Sequence, residues 1–197
     1  MDDTSQYALN RHSPSSGPVV LVIMDGVGVG AGDDYDAVAR ARTPNLDELR
    51  EGALYRTLRA HGESVGLPTD GDMGNSEVGH NILGAGRIFD QGAKCVDSAV
   101  SSGAIWNDSW DEVVAAGCRE GQALHLLGLL SDGNVHSSLD HLEIMIRRAA
   151  EQGARRVFVH GLLDGRDVPD HSAEEYIARV ESILRDVQTT YGGVFQI

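Results

Sequence analysis

Two apolar runs, Ala123-Leu124-His125-Leu126-Leu127-Gly128-Leu129-Leu130 and Val157-Phe158-Val159-His160-Gly161-Leu162-Leu163, pass directly into short polar segments and then into amphipathic stretches. A buried strand, a glycine-containing loop and a helix, repeated in that order, predict a parallel α/β sheet with crossover helices. After the first run, Leu139, Leu142, Ile146 and Ala149 fall on one helical face. Arg147 and Arg148 lie in the later turns of that helix, and Gly153 is placed to close it. After the second, Ser172 and Glu175 form a capping-box pattern ahead of Tyr176, Ile177, Val180, Ile183, Leu184 and Val187. Phe195-Gln196-Ile197 reads as the beginning of another core strand.

Consecutive parallel strands deliver their following loops to the same sheet edge, where ligands of open α/β sheets gather. The first loop, Ser131 to His136, offers His136, and the second, Asp164 to Asp167, offers Arg166 and Asp167. Arginine presents a planar fork to phosphate or carboxylate, and an adjacent carboxylate either orients that fork or binds a substrate hydroxyl. Taken alone, Arg166 and Asp167 are as readily a structural ion pair, and His136 is more often a loop hydrogen-bonder than a ligand.

Nearer the N-terminus, six apolar residues from Val19 to Met24 follow Pro18 and end at Asp25-Gly26, the pattern of a strand buried on both faces. Asp25 then stands where that strand stops, a position suited to metal binding. Gly26, Gly28, Gly30 and Gly32 do not give the G-x-G-x-x-G spacing of a dinucleotide loop. Thr43-Pro44 predicts an N-cap with proline at the first helical position, and Gly52 a stop. From His61 to Arg87 glycine recurs and period is lost, which places Gly71-Asp72-Met73-Gly74-Asn75-Ser76-Glu77-Val78-Gly79-His80 on or beside an extended loop. A serine hydroxyl is a weak nucleophile unless a base or a metal holds it as the alkoxide. Asp72, Asn75, Glu77 and His80 are the neighbours able to shape that environment.

Thirty acidic against sixteen basic residues give a formal net charge of −14 over 197 residues. Such a chain is a poor nonspecific partner for nucleic acid or an anionic membrane, so an anionic substrate needs locally concentrated cations. Cys95 and Cys118 match neither a zinc spacing nor a disulfide framework and read as two small buried thiols of a reduced cytoplasmic protein. No apolar window approaches membrane-spanning length, and residues 1–17 read as a disordered tail.

Four segments together carry a resemblance: Val22-Ile23-Met24-Asp25-Gly26, Asp72 to His80, Leu130-Ser131-Asp132-Gly133-Asn134-Val135-His136-Ser137, and Leu163-Asp164-Gly165-Arg166-Asp167. In this order, with Gly84-Ala85-Gly86-Arg87 after the serine motif, they closely resemble the cofactor-independent phosphoglycerate mutase family. The resemblance implies interconversion of 3-phosphoglycerate and 2-phosphoglycerate without bisphosphoglycerate, through a phosphoserine intermediate and two divalent cations, commonly manganese, with magnesium or cobalt as alternatives. It implies that Ser76 is the nucleophile, that Asp25 and Ser76 are metal ligands, and that His136, Arg166 and Asp167 hold glycerate or phosphate. Asn134, where many relatives have glycine, Val168-Pro169-Asp170 and His80-Asn81-Ile82-Leu83 depart from the common pattern without removing an assigned contact.

The same resemblance implies a domain plan. Residues 18–89 correspond to the N-terminal part of a discontinuous, metal-binding, alkaline-phosphatase-like domain. Residues 90–197 correspond to an inserted α/β transferase domain that is incomplete here. The expectation is a truncated chain, inactive by itself, with exposed apolar edges, and a monomer when full length. Two other readings are a noncatalytic phosphoglycerate-binding module and another phosphotransferase of the alkaline phosphatase superfamily.

Overall fold

In the computed structural model, which describes residues 16–197, the chain divides into two units, residues 1–56 and 57–197. The tail expected over residues 1–17 lies, apart from its last two residues, outside the described residues.

The first unit contains α1 (Ala37–Arg40) and α2 (Pro44–Glu51). Asp36 starts α1 by accepting the Ala39 N–H on Oδ1 at 2.9 Å, while its Oδ2 accepts the Gly32 N–H at 3.0 Å. These contacts hold the Asp36 carboxyl below its ordinary pKa, the Ala39 bond most strongly. Helix α2 follows the sequence expectation, with Pro44 in its first turn and Gly52 at its C-cap. Thr43, however, gives its hydroxyl to Asp47 at 3.1 Å and caps no backbone N–H. The strand expected at residues 19–24 is not formed. Val19 through Met24 are 49 to 81 % exposed, and no described residue of this unit is buried. A strand needs neighbouring backbone to complete its hydrogen-bond ladder, and no described strand of this unit stands beside it.

The second unit runs through a short 3-10 turn (Gly62–Val65), α3 (Ser76–Ala85), α4 (Gly92–Ser102), α5 (Asp108–Gly117), β1 (Leu124–Leu130), α6 (Leu139–Glu151), β2 (Arg156–Leu163), α7 (Ala173–Tyr191) and β3 (Val194–Gln196). The strands form one parallel sheet in the order β1-β2-β3. Leu124 stands opposite Val157 and Leu130 opposite Leu163, so β1 and β2 end together. This is the sheet that the repeated strand-loop-helix pattern predicts.

One face of that sheet makes the core. Leu124, Leu130, Val157, Val159 and Phe195 share a buried cluster with Leu139, Ile146 and Ala149 of α6 and Val180, Leu184 and Val187 of α7. Burial therefore alternates along the strands, and the fully buried strands suggested by the apolar runs are corrected: Leu127 and Leu162 are 73 % and 52 % exposed. On the same open face His125 Nδ1 and His160 Nε2 share a hydrogen bond of 2.9 Å across β1 and β2. A smaller cluster of Val65, Leu67 and Val78, joined by Ile82, seats α3 on the 3-10 turn.

Two local expectations change. The capping box at α7 is not made, because the Ser172 hydroxyl donates to the Pro169 carbonyl at 2.6 Å and caps no N–H of the helix. Helix α6 closes as expected, with Gln152 as its C-cap and Gly153, at φ 102°, taking the chain out of the helix. Cys95 and Cys118 are exposed, on helical turns outside the cores, where sequence suggested burial.

Gly161 is required by packing. A Cβ there meets Leu130 Cδ1 at 2.8 Å and Cγ at 2.9 Å, and Leu130 is almost completely buried and has little room to yield. Gly161→Ala is expected to destabilise the second unit by about 1–3 kcal/mol in urea melts. Gly165→Ala, which adds its methyl in open space, is expected to change stability by no more than about 0.5 kcal/mol.

Candidate functional site

The loop after β1 is held by its own hydroxyls. The Ser137 hydroxyl donates to the Leu129 carbonyl at 2.8 Å, the buried Ser131 hydroxyl accepts the Gly133 N–H at 3.1 Å, and the Ser131 carbonyl accepts the Leu139 N–H at 2.9 Å. From helix α7 the Tyr176 hydroxyl donates to Asp132 Oδ1 at 2.7 Å, an anionic contact that raises the phenol pKa. Asn134 occupies the left-handed region at φ 56°. His136 projects from this frame with its side chain 60 % exposed. His136 and Asn134 border a cavity of about 270 Å³ that also meets the first turn of α4 at Gly92 and Ala93.

The loop after β2 is an Asx turn. Asp164 Oδ1 accepts the backbone N–H groups of Arg166 and Asp167 at 2.9 and 3.0 Å, which fixes the backbone of both predicted ligand-binding residues. The Asp167 N–H bond chiefly holds the Asp164 carboxyl below its ordinary pKa, helped by the nearby Ser131 hydroxyl and the Arg166 N–H. Asp167 is turned inward, its side chain 7 % exposed, with Oδ2 3.9 Å from His136 Nε2. That separation allows an ion pair when His136 is protonated and is too long for a hydrogen bond. Arg166 is exposed and makes no side-chain hydrogen bond or ion pair among the described residues, so the Arg166/Asp167 ion pair is not formed. Its guanidinium donors remain available to a ligand.

Ser76 is not within a loop: it opens α3, with Asn75 as the N-cap whose Oδ1 accepts the Val78 N–H at 2.9 Å. The glycine-rich expectation holds only for the chain leading up to it. Gly74 is needed there because a Cβ would fall 1.8 Å from the Ala60 carbonyl oxygen. His80 Nδ1 lies 2.7 Å from the Ser76 carbonyl oxygen and 3.2 Å from Ser76 Oγ. A carbonyl only accepts, so the shorter contact puts hydrogen on Nδ1. In this arrangement His80 donates toward Ser76 and does not act as its base. Asp72 is also occupied: Oδ2 accepts the Thr69 N–H at 2.7 Å and the Thr69 hydroxyl at 2.9 Å, and Oδ1 accepts from Asn134 Nδ2 at 3.3 Å.

The second unit thus brings His136 and Asp167 together, places Arg166 beside them in sequence, and joins the segment before Ser76 to the same loops through Asp72 and Asn134. Asp25 belongs to the first unit, in a turn with Gly26 at φ 73°. Among the described residues no three His, Cys, Asp or Glu side chains gather as a metal site. Asp25 and Ser76 alone do not make the three or more protein ligands a catalytic dication ordinarily requires. Asp164 and Asn134 were not singled out as site residues by sequence. An aspartate before glycine at a strand end signals the first, but the contact made by the second spans 62 residues of chain and has no local signature.

Parallel strands with polar, arginine- and histidine-bearing loops beyond their carboxyl ends define an α/β protein, with those loops at the sheet edge where such folds take ligands. Residues 96–194 match the family described as BPG-independent PGAM N-terminus. The chain belongs to that family, the N-terminal part of 2,3-bisphosphoglycerate-independent phosphoglycerate mutases. It is 46 % identical over 177 residues to the 2,3-bisphosphoglycerate-independent phosphoglycerate mutase of Mesembryanthemum crystallinum, covering 89 % of this chain and 32 % of that protein. It is 49 % identical over 168 residues to the enzyme of the same name from Trypanosoma brucei brucei, covering 84 % and 30 %. A crystal structure of Leishmania mexicana phosphoglycerate mutase, determined at low cobalt concentration, matches with a TM-score of 0.82 and 48 % identity over 88 % of this chain and 32 % of that one. The chain therefore spans about a third of the length of the relatives it matches.

The Asx turn yields a pH prediction. Because the folded Asp164 carboxyl titrates below its ordinary value of 3.8, its contribution is complete above that value and is lost as pH falls through the lower folded value. Asp164→Asn keeps an acceptor oxygen but loses the charge-assisted bonds. The variant is expected to melt below the parent at neutral pH, and the gap is expected to narrow once the pH is taken below about 3.8.

Proposed function

We propose that this chain is the N-terminal part of an enzyme that interconverts 3-phosphoglycerate and 2-phosphoglycerate without bisphosphoglycerate, serving glycolysis and gluconeogenesis. The observation that carries the reading is the meeting of three loops in one unit: Gly133 packs on Asp167, His136 faces Asp167, and Asn134 reaches Asp72 four residues before Ser76. In this reading Ser76 receives the phosphoryl group as a phosphoserine. His136 and Asp167 take the glycerate hydroxyl and carboxylate side, and the unengaged Arg166 guanidinium takes the phosphate or carboxylate oxygens. Ser76 at the first position of α3 has the positive end of the helix dipole behind it, which lowers the cost of charge on or near Oγ.

Two divalent cations, manganese with magnesium or cobalt as alternatives, belong to the same reading, with Asp25 and Ser76 as ligands. The described residues do not complete either cation site. Residues 18–89 are proposed as the first part of an alkaline-phosphatase-like domain and residues 90–197 as part of an inserted transferase domain. The full-length protein is proposed to be a cytoplasmic monomer acting on small molecules. Among the described residues no helix is long and apolar enough to cross a membrane.

The test is a chimaera in which this chain replaces the matching segment of the Leishmania mexicana mutase. It is expected to convert 3-phosphoglycerate to 2-phosphoglycerate with no added bisphosphoglycerate, and Ser76→Ala is expected to reduce turnover to background. A chimaera that retains turnover after Ser76→Ala removes Ser76 from the reaction.

A further inference from the structure

Of the contacts that join the loops around the site, the one from Asn134 to Asp72 is made between side chains 62 residues apart. Asn134 sits at φ 56°, a conformation that asparagine tolerates and that most side chains avoid. The side chain it carries there is not idle. A carboxylate only accepts, so the amide nitrogen of Asn134 is the group facing Asp72 Oδ1, at 3.3 Å. The other Asp72 oxygen is held by the N–H and hydroxyl of Thr69, and the Asp72 carbonyl accepts the Gly62 N–H at 3.0 Å. Asp72 is thereby fixed to the segment that leads to Ser76. On the other side, Gly133 lies so close to Asp167 that a Cβ would meet its carbonyl oxygen at 2.7 Å. A continuous path therefore runs from the segment before Ser76, through Asp72 and Asn134, to Gly133 and the backbone of Asp167.

We infer that Asn134 is a positioning residue that holds the serine segment in register with the His136 and Asp167 loops through its amide bond to Asp72. The inference rests on the proposed function for its catalytic consequence, but the link is a property of the 197-residue chain and is testable without turnover. Glycine at this position keeps the left-handed backbone and removes the side chain. Asn134→Gly is expected to speed amide exchange at Gly62, Thr69 and Asp72 by about 3- to 10-fold, the opening expected from one lost side-chain hydrogen bond. Exchange in the β1–β2 ladder is expected to stay within about 2-fold. Asn134→Asp sets two carboxylates against each other and is expected to give at least the same loss of protection. Combining it with Asp72→Asn reverses donor and acceptor and is expected to restore protection. Unchanged exchange in Asn134→Gly overturns the link. A uniform rise through the sheet, or no rescue by the exchanged pair, reduces Asn134 to an ordinary structural residue. In the chimaera, Asn134→Gly is expected to lower kcat about 10-fold with KM nearly unchanged, the signature of misplaced groups. Unaltered kcat overturns the positioning role, whereas an inactive parent chimaera counts against the proposed function and leaves the exchange result standing.

Discussion

The in-register pairing of β1 with β2 is the constraint on which the second unit depends. Leu124 to Leu130 lie opposite Val157 to Leu163 without offset, so both strands end at the same level. A shift of β2 by one residue would turn Val157 and Val159 from the helices toward the open face and would carry the second loop away from the first. Register is also protected sterically. Gly161 leaves the space that Leu130 fills, and Gly133 lets the first loop rest on the backbone of Asp167. The apolar core and the site are thus set by one alignment, the core on one face of the sheet and the site at its carboxyl edge.

Short polar bonds then convert two adjacent loops into a shaped surface. Asp164 gathers the N–H groups of Arg166 and Asp167, Ser131 and Ser137 close the first loop, and Tyr176 pins Asp132 from helix α7. None of these is strong alone, since each replaces a bond to water, but an unmet backbone donor in such a crowded loop would be costly. The result sets two neighbouring residues apart: the Asp167 side chain is buried against the first loop, while Arg166 is exposed and makes no side-chain hydrogen bond or ion pair among the described residues. Around Ser76 the same accounting assigns the nearby polar groups to structure. Asn75 caps the helix, Asp72 joins loops, and His80 carries its hydrogen toward Ser76, so none of the three stands as a base for that hydroxyl.

The first unit shows the opposite situation. Its helices show local signals, an Asp36 cap on α1 and Pro44 in the first turn of α2, yet its most apolar segment, Val19 to Met24, remains exposed. Local signals settle a helical turn because its hydrogen bonds close within a few residues. They do not settle a strand, whose partners must come from distant chain.

By itself the sequence determined the βα repeats, the α2 and α6 helices, the inward face of α7 and the two loops bearing His136, Arg166 and Asp167. All of these follow from period, caps and glycine placement read within windows of one element. Tertiary structure decided that one sheet face stays open, that Ser76 begins a helix, that His80 is a donor, and that Ser172 serves Pro169 in place of a capping box. It also decided that Asn134 meets Asp72. The division has a physical cause: helical period and turn chemistry are properties of neighbouring residues, whereas which oxygen a given N–H reaches depends on where two distant segments are brought by the packed core.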